Sequence, residues 1–362
     1  MATVHFATNR SYTTGPDGTV TFGTRFHHDG PEFIRFGSAE VVRKSDGSYA
    51  CQGYRVEPES AQTNLLGSTA VFDQLRKAMR EGCTDTLCLI HGYACDFKTA
   101  LERAGELQDK YAFDGKPLNM FVFSWPSDGT TEFRAYGRDR IDASMSGVAM
   151  ARAFLKLRRY LVALSEQTGQ PPDGFCNQRI HLVAHSMGNY ALRHALRSVR
   201  KELEGAPLPR LLDTVFLMAA DEDEDAFEHD AKLGLLTEIC RQVLVYYSEN
   251  DRALTISDVT KGNPDRLGTN GPRVLTGLPR KVKLIDCSEV DWTRLTHGRH
   301  QYYRLRDEVV TDVRAVLAGV RAEDMAWRKR APNERAWRIM PGGAGPATRD
   351  EPRLRRDQLE LA

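Results

Sequence analysis

The sequence predicts a doubly wound, three-layer α/β domain, on two observations. Apolar runs too short for helices recur at residues 86–90, 120–124, 180–184, 214–218, 242–247 and 281–285, and stretches with a helical apolar period lie between several of them. The runs are nearly continuous rather than alternating, as strands must be when helices cover both faces of a parallel sheet. At 362 residues, with 41% hydrophobic side chains, the chain is long enough for one large domain of this kind.

Each element has its own signal. Residues 1–60 alternate β-rich runs such as Val4-His5-Phe6-Ala7 and Ala39-Glu40-Val41-Val42 with turn clusters such as Thr14-Gly15-Pro16-Asp17-Gly18, a strand-rich entry to the sheet. A helical period at 69–80 leads into the strand at 86–90, which ends in His91-Gly92-Tyr93. A helix at 97–110, the strand at 120–124, a long helix at 141–164, the strand at 180–184 and a helix at 188–200 repeat the alternation. Three further strands and a last helix at 304–317 complete it. Between 252 and 280 the period lapses into glycine, asparagine and proline, which reads as a loop bordering a site. The domain is therefore set at 1–320. Residues 321–362 are arginine-rich and then run Pro341-Gly342-Gly343-Ala344-Gly345-Pro346, read as a short helix followed by a partly disordered tail.

Composition narrows the function classes. A formal net charge of +1, from 50 basic and 49 acidic side chains, gives no global attraction for nucleic acid or an anionic membrane. No run approaches the length of a membrane span, and the N-terminus lacks a charged segment followed by an apolar one, so a soluble, cytoplasmic protein without stable membrane association is expected. Seven scattered cysteines without C-x-x-C spacing indicate neither a disulfide framework nor a zinc site, and no metal or cofactor is called for.

One segment carries chemistry. From Arg179 to Ala184 an apolar strand runs straight into His185-Ser186-Met187-Gly188-Asn189, a small-x-Ser-x-Gly turn that presents serine at the tip of a strand-to-helix elbow. A capping serine in an ordinary tight turn would read the same way. The partners of an acyl-transfer site decide between the two readings, and they occur in order at other strand ends. Gly92 allows the Tyr93 amide to turn toward the serine, which with the Met187 amide makes two oxyanion donors. Asp251 follows the strand at 242–247, and His300 precedes the last helix. Serine needs an imidazole to take its proton, and the imidazole needs a carboxylate to hold its tautomer.

The chain resembles an α/β-hydrolase, of a mostly bacterial branch whose function is undefined. The resemblance rests on Phe6-Ala7-Thr8-Asn9-Arg10, Ile90-His91-Gly92-Tyr93, Phe123-Ser124-Trp125-Pro126-Ser127, Ala184-His185-Ser186-Met187-Gly188-Asn189, Ala220-Asp221-Glu222-Asp223 and Tyr247-Ser248-Glu249-Asn250-Asp251-Arg252-Ala253-Leu254, and spans residues 3 to 320. It implies a serine hydrolase that needs no cofactor and acts on small-molecule esters. A carboxylesterase is the first reading. An amidase, thioesterase or lipase would share the machinery, and a non-catalytic binding protein on the same fold is the rival from another class.

Choices remain inside the site. His297 competes with His300 for the base, and His300 is preferred because His300-Gln301-Tyr302-Tyr303 resembles the family's histidine followed by an aromatic pair. Asp221 and Asp223 are the alternative acid, although the run 221–225 reads better as the start of a helix. Trp125 is expected to shape a wall of the substrate pocket, and His185 to contact substrate or to serve as a structural hydrogen-bonding residue. Cys95 lies beside the oxyanion loop but has no elbow around it.

Overall fold

The computed structural model describes residues 1–59, 66–113, 115–131, 133–169, 178–204, 206–228, 232–254, 265–290, 299–331 and 335–342. Thirteen strands are defined among them: β1 Ala2–Thr8, β2 Arg10–Thr14, β3 Val20–Phe26, β4 Arg35–Arg43, β5 Tyr49–Val56, β6 Thr86–Ile90, β7 Asn119–Ser124, β8 Ile180–His185, β9 Leu212–Met218, β10 Cys240–Tyr247, β11 Val282–Asp286, β12 Arg328–Arg330 and β13 Ala336–Ile339. Eleven form one sheet in the order β12-β13-β11-β10-β9-β8-β6-β7-β1-β4-β5, while β2 and β3 make a separate hairpin. The core from β1 to β11 is parallel, with β4 and β5 antiparallel at one edge and β12 at the other.

The central strands are apolar on both faces because both are covered. Every residue of β9 is buried, as are five of the six in β8. The main helices are α1 Gly67–Gly82, α2 Phe97–Lys110, α3 Phe133–Thr168 and α4 Met187–Glu202; the short α5 Leu236–Ile239, α6 Leu267–Asn270 and α7 Tyr302–Leu305 precede α8 Asp307–Ala318. In α4 the stripe Ala191, Leu192, Ala195, Leu196 and Val199 recurs at helical spacing and is buried. Asp96 caps α2, its carboxylate accepting from the Thr99 amide at 2.8 Å, which ties the chain just before α2 to its first turn. Among the described residues, no helix is long and apolar enough to cross a membrane.

Two elements differ from the sequence reading. α3 runs from 133 to 168, longer at both ends than the expected 141–164, because its ends carry too little apolar period to be read. The expected boundary at 320 falls short of the sheet. Beyond it, β13 pairs in parallel with β11 and β12 closes against β13. These strands are three and four residues long, Arg-Lys-Arg and Ala-Trp-Arg-Ile, too short for a period to mark either. What fixes them is a buried ion pair. Arg328 donates two hydrogen bonds to Asp312 of α8, from Nε and Nη2, each 2.7 Å, and the same carboxylate accepts from Trp327 Nε1 at 2.9 Å and from the Tyr246 hydroxyl at 2.6 Å. The remainder of the expected tail, 343–362, lies outside the described residues.

Removing one member of a buried, bidentate pair strands the other charge. Arg328→Ala is therefore expected to lower stability by about 3–5 kcal/mol. Chemical denaturation of wild type and variant checks it, and a loss within error of zero would show the edge strands to be incidental.

Candidate active site

At the end of β8 the backbone of Ser186 takes φ 53° and ψ −126°, a left-handed conformation that an L-residue adopts only under constraint. The constraint is visible. The Ser186 amide donates to the Met218 carbonyl at 3.0 Å, and the Asn189 side chain donates to the Ala184 and Ser186 carbonyls, each at 3.0 Å. The Asp221 amide donates to the Ser186 carbonyl at 3.2 Å. Two glycines let the neighbouring segments close in. A Cβ on Gly188 would stand 2.6 Å from the Ile90 carbonyl oxygen, and one on Gly92 would stand 2.8 Å from Ser186 Cβ. The loop carrying Tyr93 and the N-terminus of α4, which starts at Met187, are thus pressed together around the serine.

The carboxylate and imidazole meet on the neighbouring strand ends. His300 Nδ1 lies 2.7 Å from Asp251 Oδ2, and Asp251 is fully buried. The other carboxylate oxygen accepts the Ala253 and Leu254 amides at 3.1 and 3.2 Å, so the acid is held at both oxygens. Burial opposes the charged form of His300, but the Asp251 charge and hydrogen bond outweigh it and raise the imidazole above its usual 6.5. The contact at Nδ1 assigns the proton of the neutral ring there and leaves Nε2 as the acceptor. His297, the competing base, lies outside the described residues.

His185 does not face substrate. It is 2% exposed, its Nε2–H donates to the His300 carbonyl at 3.1 Å, and its ring packs 4.5 Å from that of Tyr303. Burial, and then the nearby His300, push its pKa well down, so the ring is neutral and acts as a clamp on the His300 backbone. Trp125 is likewise no pocket wall. Fully buried, it lies beneath the loop, its indole donating to the His91 carbonyl at 2.8 Å and stacking on the His91 ring at 5.0 Å. Of the two readings of His185, its contacts agree with the structural hydrogen-bonding one; strand-end position marks Trp125 as a pocket wall but does not tell which face a side chain takes.

The loop from His91 to Asp96 has a clamp that sequence reasoning did not assign. Arg10, fully buried, donates from Nη2 to the Cys95 carbonyl at 2.8 Å, from Nε to Ser124 Oγ at 3.0 Å, and from Nη1 to the Gly23 and Ser127 carbonyls at 3.1 and 3.2 Å. Ser127 Oγ accepts the Cys95 amide at 3.1 Å and donates to Asp139, which also accepts the Asp128 amide at 3.0 Å. Between these anchors Ala94 is held at φ 54°. Burial pulls the guanidinium down to about 10, which keeps it charged at neutral pH. Burial also pushes the Cys95 thiol up, away from nucleophilic use. The signal in the sequence was the string Phe6-Ala7-Thr8-Asn9-Arg10, which carries the resemblance but assigns the arginine no contact.

The acidic run 221–225 forms turns rather than a helix start, because its carboxylates are taken by distant cations. Asp221 accepts the Tyr136 hydroxyl at 2.5 Å and faces Arg266 at 3.5 Å and Arg140 at 3.9 Å; Glu222 pairs with Arg193 at 2.8 Å and Asp223 with Arg266 at 2.6 Å. Asp251, not Asp221 or Asp223, is the carboxylate bonded to His300. Tyr93 packs edge-on against Tyr136 at 5.5 Å, and Arg140 stacks over Tyr190 at 3.7 Å.

The chain matches, over residues 68–321, the model of a family described as "Alpha/beta hydrolase of unknown function (DUF900)". No curated protein matches it. Among solved structures it is similar to one titled "Crystal structure of EstE5-PMSF (I)", at 13% identity and TM-score 0.29 over 77% of this chain and 83% of that one. A second, an esterase/lipase from an uncultured bacterium, is similar at 13% identity and TM-score 0.28 over 78% and 85%.

Two outcomes follow from the geometry. In an NMR titration the His300 ring should change protonation above pH 6.5, and in Asp251→Asn the midpoint should fall below that of wild type, because burial is then opposed by the Asp221 charge without that of Asp251. An unchanged midpoint would remove Asp251 as its partner. Arg10→Met should speed hydrogen exchange at the Ala94 and Cys95 amides by about tenfold or more while leaving β9 protected; equal rates would show that the loop does not depend on the guanidinium.

Proposed function

Because the chain belongs to this family of alpha/beta hydrolases, we propose that it is a serine hydrolase, carboxylesterase-like, cleaving small-molecule esters through an acyl-enzyme. The observation that carries the reading is the 2.7 Å contact between buried Asp251 and His300, on the loops beside the strained Ser186 turn. His300 Nε2 takes the Ser186 proton as Oγ attacks the ester carbonyl. The Tyr93 and Met187 amides receive the developing oxyanion, helped by the positive end of α4. The imidazolium, stabilised by Asp251, then protonates the departing alcohol. Water, deprotonated by the same imidazole, releases the acid and restores the serine.

Each supporting residue has a place in this sequence. His185 holds the His300 backbone, so the ring keeps its angle as it changes charge. Arg10 and Ser127 hold the oxyanion loop before substrate arrives, so little reorganisation is needed in the transition state. The reaction consumes only ester and water. It is proposed to run in the cytoplasm, where the free cysteines stay reduced.

The pH dependence has a definite sign. Attack requires neutral His300, so kcat/KM falls as pH drops through its raised pKa, and the acid limb should lie above 6.5. Ser186→Ala should lower turnover of p-nitrophenyl acetate by about 10⁴–10⁶-fold. A fluorophosphonate should label wild type at Ser186 and leave the variant unlabelled. Retained turnover in Ser186→Ala, or labelling elsewhere, would sink the assignment.

A further inference from the structure

On the face of the sheet opposite α2, an apolar cavity of about 520 Å³ lies between β6–β9 and the layer formed by α1, α3 and α4. Its volume falls in the range of small-molecule sites, roughly 300–1,000 Å³. Its floor is a patch of side chains one face up: Cys88, with Phe121 and Leu182 directly across on the neighbouring strands. Cys88 and Phe121 stand mid-sheet under a helical layer, yet each retains solvent-accessible surface. The space is real because α3 packs chiefly on α4 and touches α1, standing off from the strands beneath it.

The two ends of the cavity differ. Toward the carboxyl ends of the strands it is closed by buried Ile90, Phe123 and Leu192, behind the nucleophile turn. Toward the amino ends its lining is accessible and cationic: Arg76, Arg179 and Arg210 stand there with Asp213. Asp213 is already taken, by Arg241 at 2.9 Å and Arg179 at 3.7 Å. Among the described residues Arg210 is paired with no carboxylate, and Arg76 is shared between exposed Asp73, at 3.9 Å, and the Tyr160 hydroxyl. The mouth thus keeps cationic capacity, while the interior between Cys88, Phe121 and Leu182 and the helices above is almost entirely apolar.

We propose that this cavity is a binding site for a long-chain fatty acid, its alkyl chain along the sheet face and its carboxylate at Arg76 and Arg210. Water is a poor occupant of a space so lined, having too few polar partners. A neutral alkane would leave the arginines unused, and a doubly charged small anion would leave the apolar depth empty. The mouth opens away from Ser186, so the ligand is distinct from the ester substrate and the site does not depend on the proposed hydrolysis.

The test uses cis-parinaric acid as a fluorescent probe on the full-length protein, with hexadecanoic acid, octanoic acid and 1-hexadecanol as competitors. Hexadecanoic acid should displace the probe roughly tenfold more effectively than either of the others, since one lacks chain and the other charge. Ala153→Phe, which fills the cavity from α3, should weaken probe binding by about a hundredfold, with an unchanged or higher melting temperature and unchanged turnover of p-nitrophenyl acetate. Should that variant fail to fold, Leu157→Trp takes its place. Arg76→Ala combined with Arg210→Ala should weaken the acid by about tenfold and leave the alcohol unaffected. Ser186→Ala should bind the probe as wild type does. Undiminished binding in the cavity-filling variant, or equal competition by acid and alcohol, overturns the proposal.

Discussion

Everything at the carboxyl edge of the sheet depends on how closely the loop after β6 approaches the turn after β8. With Gly92 and Gly188 the two backbones meet at a separation that no side chain would allow, since a methyl at either place would collide with main-chain or Ser186 atoms at under 3 Å. That approach sets the chain at Gly92 directly against Ser186 and His185. It also explains why the serine tolerates a left-handed backbone: hydrogen bonds from Asn189 and from Asp221, and one to Met218, offset the strain. Strain is retained because its surroundings leave no other arrangement.

Buried charge is the second organising constraint. Three buried or nearly buried arginines are handled in three ways: Arg10 by carbonyls and a serine hydroxyl, Arg328 by a bidentate carboxylate, and Arg266 by Asp223 and Asp221. Each ties segments distant in the chain. Arg10 spans β2, the loop after β6 and the end of β7; Arg328 joins the edge strands to α8 and β10. The same economy separates Asp251 from Asp221, one of its two rivals. Asp221 is occupied by a tyrosine and two arginines, whereas Asp251 has a pair of amides on one oxygen and His300 on the other.

The two ends of the parallel strands carry different chemistry for a topological reason. Helix N-termini and crossover loops gather at the carboxyl ends, where polar groups can converge on a substrate. At the amino ends the chain enters the strands from α1, α3 and the segment after α4, and the long α3 bridges over rather than filling the layer. Polar convergence at one end and apolar space with a cationic rim at the other are consequences of the same winding.

By itself the sequence determined the alternation of strands and helices, and with it the parallel α/β sheet, because continuous apolar runs and 3.6-residue periods are local properties. It also singled out Ser186, Asp251 and His300 as candidates, since each stands in a short string just beyond a strand and the order of strand ends follows the order of the chain. It did not disclose β12 and β13, whose few residues acquire strand geometry only as β13 pairs with β11 and β12 with β13. Nor did it disclose the inward turn of His185 and Trp125, the clamp on the loop after β6, or the cavity. Arg10 meets Cys95 across 85 positions and Ser127 across 117. Contacts of that span, and empty space between layers, exist only once the sheet has assembled, because nothing in a local window records which side chains packing will bring together or which gaps it will leave.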